Sequence, residues 1–213
     1  MTGFSAAERS VLRGLTTPAK VQDFLDRLRY SFDRGHDRLR SPRRILRERS
    51  AHCIEGAMLA AAAFWVRGGR PLLMDLRSSA DDLDHVVALF RRHGRWGAVS
   101  KTNHVVLRYR EPVYRTVREL ALSYFNEYFL DDGRKTMRDF SGPYDLVRHH
   151  GTAWMTGEDD LWGIAEALDA VPHTAVLPRG IRLRKADPIE RRAARLEQYP
   201  YRKRRLAAVR REG

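Results

Sequence analysis

Apolar residues recur every three or four positions between Val21 and Leu28. This spacing places them on one face and predicts an amphipathic helix over about 18–30. The N-terminal part of the chain is therefore predicted to be helical. Side chains that favour helix N-caps mark three early helix starts, at Ser5 with Glu8, at Thr17-Pro18 and at Ser41-Pro42.

A different pattern covers residues 52–67. No polar residue interrupts positions 57–66, and a helix that is apolar on nearly all sides is typical of a buried one. Gly68 and Gly69 follow and predict its end. We therefore expect residues 60–63 to lie away from solvent.

Short strand-like segments come next, and helical patterns return after them. The predicted strands are 72–74, 86–90, 96–99 and 105–109. The turn Arg92-His93-Gly94 joins the second and third of these into a hairpin. The predicted later helices are 111–129, 156–169 and one that begins after Asp187. Helices, then strands, then helices predict an α+β fold in which a buried helix packs on a small antiparallel sheet, with flanking N- and C-terminal helices.

Composition places the chain among globular proteins. Its 213 residues are 43% hydrophobic, which is enough for a full core. The longest apolar run, 57–66, is much shorter than the about 20 residues that span a bilayer, and no signal-peptide pattern is present at the N-terminus. The single cysteine allows no intrachain disulfide and favours a reducing, cytoplasmic location.

The net charge of +13 is concentrated near the C-terminus, where residues 180–213 hold 12 basic and 4 acidic residues. We therefore divide the chain into one α+β domain, 1–180, and a basic C-terminal helix and tail, 181–213. Arginine and lysine clusters bind phosphates, so residues 202–211 are a candidate for weak nucleic-acid contact. The equally simple interpretation is a solvated basic terminus.

Cys53 lies at the predicted start of the buried helix, where the helix dipole and unpaired N–H groups favour a thiolate. The same N–H groups are ready donors to an oxyanion. His85 begins a strand 32 residues later. A strand packed on the helix would bring the His85 ring to the thiol, which is the arrangement that nucleophilic Cys–His catalysis requires.

The motifs His52-Cys53-Ile54-Glu55-Gly56-Ala57, His85-Val86-Val87-Ala88-Leu89-Phe90 and Gly94-Arg95-Trp96-Gly97 resemble those of the transglutaminase-like superfamily, in a bacterial branch of it. The resemblance covers about 45–110. It implies a papain-like fold with a cysteine at a helix N-terminus, a histidine on the next sheet segment and an aspartate on the strand after it.

The chain departs from this pattern at the third position. Ser100 stands where the family has aspartate, and no aspartate occurs between Asp84 and Asp131. Asn103 is the predicted replacement, because an amide orients the ring in the Cys-His-Asn variant of the triad. Ser100 itself is the position-for-position alternative, and Asp75 on the preceding strand is another.

The resemblance implies cysteine-dependent acyl transfer on an amide or ester, with Cys53 as nucleophile, His85 as base and a peptide or protein amide as substrate. Water as acceptor would make the protein a peptidase or amidase, and an amine would make it a transferase. The missing aspartate favours an alternative, a catalytically inactive binding or scaffold protein. We expect no cofactor, no metal site and no membrane association, and the sequence does not decide the oligomeric state.

Neighbouring polar residues have simpler interpretations. His52 is predicted to be a helix cap or a wall of the cleft rather than the base, because adjacent helical residues point in different directions. Glu55 is predicted to complement the helix dipole from the first turn. The segment 81–84 is predicted to be a polar turn, with a metal site at Asp81, Asp82 and Asp84 as a minor alternative. His149-His150 is predicted to lie on the surface.

Overall fold

The computed structural model describes residues 3–32 and 38–194, and within these ranges the fold is mixed α+β. The α-helices are α1 (Ala6–Gly14), α2 (Pro18–Arg27), α3 (Pro42–Glu48), α4 (Cys53–Val66), α5 (Val117–Phe125), α6 (Leu146–His150), α7 (Trp162–Ala170) and α8 (Pro188–Ala194). The β-strands are β1 (Arg29–Tyr30), β2 (Ser50–Ala51), β3 (Leu72–Arg77), β4 (His85–Arg92), β5 (Arg95–Val99), β6 (Arg110–Tyr114), β7 (Asp139–Ser141), β8 (Tyr144–Asp145) and β9 (His173–Ala175).

In this part of the chain, seven strands form one sheet. Six of them follow the order β6-β5-β4-β3-β7-β9, and the seventh, β8, pairs with Leu72 and Leu73 at the start of β3. Every pairing in this sheet is antiparallel. The predicted hairpin is confirmed as β4–β5, whose two-residue loop has positive φ at His93 and Gly94. The sheet is larger than the four predicted strands.

Helices cover both faces of the sheet. On one face, α4 and the N-terminal helices pack against Leu73, Val86 and Ala88. On the other face, α5 packs against the alternate residues of the same strands, such as Met74 and Val87. Because both of its faces are covered, β4 is buried from its first residue through its sixth, without the polar–apolar alternation of a half-exposed strand.

Helix α4 is the buried helix that the sequence predicts. Ala60, Ala61, Ala62 and Ala63 have no exposed surface, so that prediction is confirmed. A Cβ atom at Gly56 would lie 2.3 Å from Cβ of Lys101. The absence of a side chain at Gly56 therefore lets the first turn of α4 approach the segment that follows β5.

Two predictions between 105 and 129 are wrong. Residues Val105–Leu107 form a 3₁₀-helix rather than a strand, and the strand is Arg110–Tyr114. The predicted helix 111–129 begins only at Val117, after an N-cap at Thr116. Pro112 marks an edge strand here, where its missing N–H removes no ladder bond, and not a helix start.

Other boundaries shift for identifiable reasons. Helix α2 ends at Arg27 because the next residues pair in parallel with Ser50–Ala51. Helix α7 starts at Trp162 rather than 156. The residues before it hold Glu158 and Asp160, which form ion pairs with arginines of α3.

The predicted C-terminal helix is confirmed as α8 (Pro188–Ala194). At its start, Asp187 Oδ1 accepts hydrogen bonds from two backbone N–H groups, as a cap does. The predicted basic tail, including 202–211, lies outside the described residues, and the boundary at 180 stays a prediction. Among the residues that the structure does describe, no helix is long and apolar enough to cross a membrane.

Candidate active site

Cys53 is the first residue of α4 and lies in a cleft of about 810 Å³. The cleft is also lined by His52, His85, Asn103 and Tyr128. The cysteine is half-buried, and its position at the helix N-terminus places its sulfur in the positive field of the helix dipole. The predicted nucleophile and the predicted base therefore share one cleft.

Burial alone would raise the pKa of the Cys53 thiol. Hydrogen bonding to His52 and His85 and the positive charge of their rings outweigh burial, and they lower the pKa of Cys53 to about 5. Burial lowers the pKa of His52, but its interaction with the Cys53 sulfur and with Glu55 raises it to about 9. Between these two values the pair is a thiolate with an imidazolium.

His85 begins β4, and its Nε2 atom lies 3.1 Å from Oγ of Ser100. The Ser100 hydroxyl donates its only proton to the carbonyl of Leu107, at 2.8 Å. Its oxygen must therefore accept a proton from Nε2–H of His85. This contact fixes the tautomer, so Nδ1 is the nitrogen left to exchange a proton with the thiol.

Ser100 is itself held rigidly. It has no exposed surface, and its backbone forms two hydrogen bonds with the side-chain amide of Gln22 on α2. Gln22 Nε2 donates to the Ser100 carbonyl at 3.0 Å, and Gln22 Oε1 accepts the Ser100 N–H at 3.1 Å. The sequence predicted no role for Gln22, although its position three residues before Leu25 puts a polar group on the apolar face of α2.

The structure separates the three candidates for the third position. Ser100 contacts the His85 ring. Asn103 lines the cleft but makes no hydrogen bond to His85 among the described residues. Asp75 lies 3.1 Å from Nε2 of His173 instead. A serine hydroxyl is neutral, so Ser100 orients the His85 ring without adding the negative charge of an aspartate.

His52 is the N-cap residue of α4 and a wall of the cleft, as predicted. Its Nε2 atom lies 3.1 Å from the carbonyl of Arg38, and its backbone N–H donates to Glu55 at 3.0 Å. What the sequence did not predict is its direct effect on the pKa of Cys53. Two imidazoles, not one, stabilise the thiolate.

Glu55 is fully buried. Its carboxylate receives Nε and Nη2 of Arg40, at 2.7 and 2.9 Å, together with the Arg40 backbone N–H. The carboxylate therefore anchors the segment before α3 to the first turn of α4, beyond the dipole role that the sequence predicted. The available signal was a carboxylate in an otherwise apolar helix, which requires a buried cation.

The turn before β4 closes one side of the cleft. The carbonyl of Asp84 lies 3.8 Å from the Cys53 sulfur. The Tyr128 hydroxyl donates to the carbonyl of Leu83 at 2.6 Å, and its ring meets the His85 ring edge-on at 6.5 Å. Tyr128 therefore packs against the His85 ring and fixes the turn before it.

The acidic turn is polar, as predicted, and its aspartates have different partners. Asp81 pairs with Arg134, and Asp84 accepts the backbone N–H of Ser78 at 2.6 Å. His149 is exposed at the end of α6, as predicted, and stacks on Tyr144 at 4.5 Å. His150 is instead half-buried, and its Nε2 atom lies 2.8 Å from the Tyr144 hydroxyl.

A second cavity, of about 590 Å³, lies between the α1–α2 connection and β4. It is lined by apolar residues, threonines and arginines and by no cysteine, histidine or carboxylate. The Cys53 cleft instead brings together a cysteine, histidines and carboxylates, which makes it the candidate active site.

Comparison with known protein families and with curated protein sequences finds no match to this chain.

Proposed function

We propose that this protein is a transglutaminase-like cysteine enzyme that transfers the acyl group of an amide or ester, with Cys53 as nucleophile and His85 as base. The observation that carries the proposal is the position of Cys53 at the start of α4, in one cleft with His85, whose Nε2 atom lies 3.1 Å from Oγ of Ser100. The lowered pKa of the Cys53 thiol, about 5, agrees with it. A lone buried cysteine would have a raised pKa and no oriented partner.

The chemistry follows from the geometry. The Cys53 thiolate attacks the carbonyl carbon, and the first-turn N–H groups of α4, which have no intrahelical acceptor, stabilise the oxyanion. The proton of the thiol, which passes to Nδ1 of His85 when the thiolate forms, is then donated to the leaving amine or alcohol, and the intermediate collapses to the thioester. In the second half-reaction His85 removes a proton from water or from an amine, which attacks the thioester and restores Cys53.

The cleft suits a peptide or protein substrate. Its lining includes exposed apolar side chains, among them Phe32, Leu83 and Trp162. Exposed aromatic groups around a polar centre are typical of sites that bind extended chains with apolar side chains. The open cleft admits a loop or chain terminus of a protein, so the proposed substrate is a peptide or protein amide.

An activated ester tests the proposal directly. Folded protein treated with p-nitrophenyl acetate should gain one acetyl group on Cys53, detected by intact-mass spectrometry and peptide mapping, and should then lose it. Faster loss in the presence of a primary amine would identify a transferase, and loss only to water a hydrolase. The denatured protein gives the rate for an unassisted thiol.

Variants complete the test. Cys53→Ser should abolish acetylation, and His85→Ala should slow it by about 10²-fold or more. The exposed His149→Ala serves as the matched control and should react like the wild type. If the folded protein acetylates no faster than the denatured protein, or if His85→Ala has no effect, the proposal is wrong and the inactive scaffold becomes the better interpretation.

A further inference from the structure

Three carboxylates from different elements converge beside the candidate active site. Asp75 comes from β3, Asp84 from the turn before β4 and Asp169 from the last turn of α7. One oxygen of each lies within 4.8 Å of the others. The sequence does not reveal this cluster, because its members are separated in the chain and only Asp84 belongs to the acidic turn.

Asp75 supplies an independent sign of a ligand. The residue is 1% exposed, and its Oδ2 atom lies 3.1 Å from Nε2 of His173. Its Oδ1 atom is buried and has no hydrogen-bond partner among the described residues. Buried carboxylate oxygens are normally paired, because leaving one unpaired is energetically unfavourable. With Oδ2 turned to His173, Oδ1 is the atom left to bind something else.

The cluster has little cationic compensation from the described residues: only His173, when protonated, pairs with Asp75. In the part of the chain that the structure describes, no arginine or lysine forms an ion pair with any of the three carboxylates. Arg77 lies close, but its guanidinium contacts Nδ1 of His173 and the backbone carbonyl of Asp169. Asp169 also stands in the last turn of α7, where the helix dipole disfavours a negative charge.

We propose that Asp75, Asp84 and Asp169 bind a divalent cation of the size of Ca²⁺. Hard cations prefer carboxylate oxygens, and Ca²⁺ completes its shell with waters. Two oxygens on one Ca²⁺ can be about 5 Å apart, twice the metal–oxygen distance, whereas Mg²⁺ allows only about 4.2 Å. The separations, all within 4.8 Å, are within reach of one Ca²⁺ once the exposed Asp84 and Asp169 side chains move slightly towards Asp75. His173 would orient Asp75 by a hydrogen bond, as the partners of metal-binding carboxylates do.

The site lies beside the candidate active site. The carbonyl of Asp84 faces the Cys53 sulfur, and His85 follows it in the chain. A bound cation would therefore link β3 and α7 to the turn that precedes His85.

Calorimetric titration of EDTA-treated, full-length protein with CaCl₂ tests the inference. We expect one site per chain with a dissociation constant on the order of 10⁻⁵–10⁻³ M, and a thermal midpoint that rises with Ca²⁺. Asp169→Asn, an exposed position that the fold tolerates, should weaken binding by about tenfold or more. Asp159→Asn, an exposed aspartate outside the cluster, is the matched control and should bind as the wild type does.

The absence of saturable binding would overturn the inference, as would an Asp169→Asn protein that binds Ca²⁺ normally or a protein that binds Mg²⁺ more tightly than Ca²⁺. The site does not depend on the acyl-transfer proposal. A Cys53→Ser protein should bind Ca²⁺ like the wild type, so a failure of the cation site and a failure of the cysteine chemistry give different results.

Discussion

Nε2 of His85 lies 3.1 Å from the hydroxyl of Ser100, and that hydroxyl gives its proton to the carbonyl of Leu107. One neutral side chain therefore sets the tautomer and the orientation of the imidazole. In a triad the same position is occupied by a carboxylate or an amide, which also stabilises the imidazolium. Here the thiolate is stabilised instead by a second ring, that of His52.

The first prediction separates the two candidates for orienting His85. Ser100→Ala leaves Nε2–H without its acceptor, so the ring loses its fixed tautomer and the rate of Cys53 acetylation should fall by about tenfold or more. Asn103→Ala removes a side chain that lines the same cleft without touching the ring. It should change the rate much less.

Rates of acetylation at several pH values, measured on both variants and on the wild type, check this. A larger loss in Asn103→Ala than in Ser100→Ala would show that Asn103 moves onto the ring during the reaction, as the sequence first suggests. Circular dichroism of Ser100→Ala excludes unfolding as the cause, which matters because Ser100 is buried.

The second prediction concerns the pH dependence of Cys53. Because its pKa is lowered to about 5, alkylation of the folded protein by iodoacetamide should reach half of its plateau near pH 5 and be lost only below that pH. The denatured protein should show its midpoint near the ordinary value of about 8.5. A less basic thiolate is also a weaker nucleophile, so the midpoint, not the plateau rate, is the decisive quantity.

His52→Ala and His85→Ala should each move this midpoint upwards, because each ring stabilises the thiolate. Above about pH 9 His52 loses its proton, and the thiolate then remains without that partner. A folded wild-type protein that titrates near pH 8.5, or midpoints unchanged in both variants, would contradict the thiolate–imidazolium pair.

The sequence predicted the parts of the site that local pattern determines. The unbroken apolar run identified α4 as buried, and that placed Cys53 at a helix N-terminus. The turn Arg92-His93-Gly94 identified the hairpin that carries His85. These features depend on neighbours in the chain, which is why pattern and turn chemistry were sufficient for them.

The rest depends on contacts across the fold. The orientation of Ser100 depends on hydrogen bonds to Gln22, 78 residues away, and to the carbonyl of Leu107. Leu107 lies in a 3₁₀-helix that the sequence predicted to be a strand. The β-branched residues Val105 and Val106 favour a strand locally, but the chain turns there. The sequence therefore left three candidates for the residue beside the His85 ring, and the structure places Ser100, rather than Asn103 or Asp75, at hydrogen-bond distance from it.

The third prediction tests the buried ion pair under the site. Glu55→Gln leaves the guanidinium of Arg40, which is 5% exposed, without the carboxylate that receives two of its nitrogens. Because the charge stays buried, the free energy of unfolding should fall by about 3 kcal/mol. Arg40 keeps Glu48 as a partner, which places the expected loss at the lower end for a broken buried pair.

Denaturant unfolding measures this loss. The matched control is Glu158→Gln, because Glu158 also receives two guanidinium nitrogens, those of Arg47, but on the surface. A pair in water contributes little, so this variant should unfold like the wild type. Equal losses in the two variants would show that burial does not determine the strength of the Arg40–Glu55 pair.

The fourth prediction concerns the close approach at Gly56. Alanine in the middle of a helix is ordinarily more stable than glycine, by about 1 kcal/mol. At this position the added Cβ would lie 2.3 Å from Cβ of Lys101, so α4 and the segment after β5 must separate. We expect Gly56→Ala to lower the free energy of unfolding by about 1–3 kcal/mol, as overpacked cores do. Because Lys101 follows Ser100, the same displacement should also slow acetylation of Cys53.

Gly163→Ala in α7 is the control, since nothing lies within 4 Å of its added Cβ. This variant should be as stable as the wild type or slightly more stable, and its Cys53 should react at an unchanged rate. If Gly56→Ala were as stable and as reactive as Gly163→Ala, the packing of α4 against Lys101 would not determine the position of Ser100.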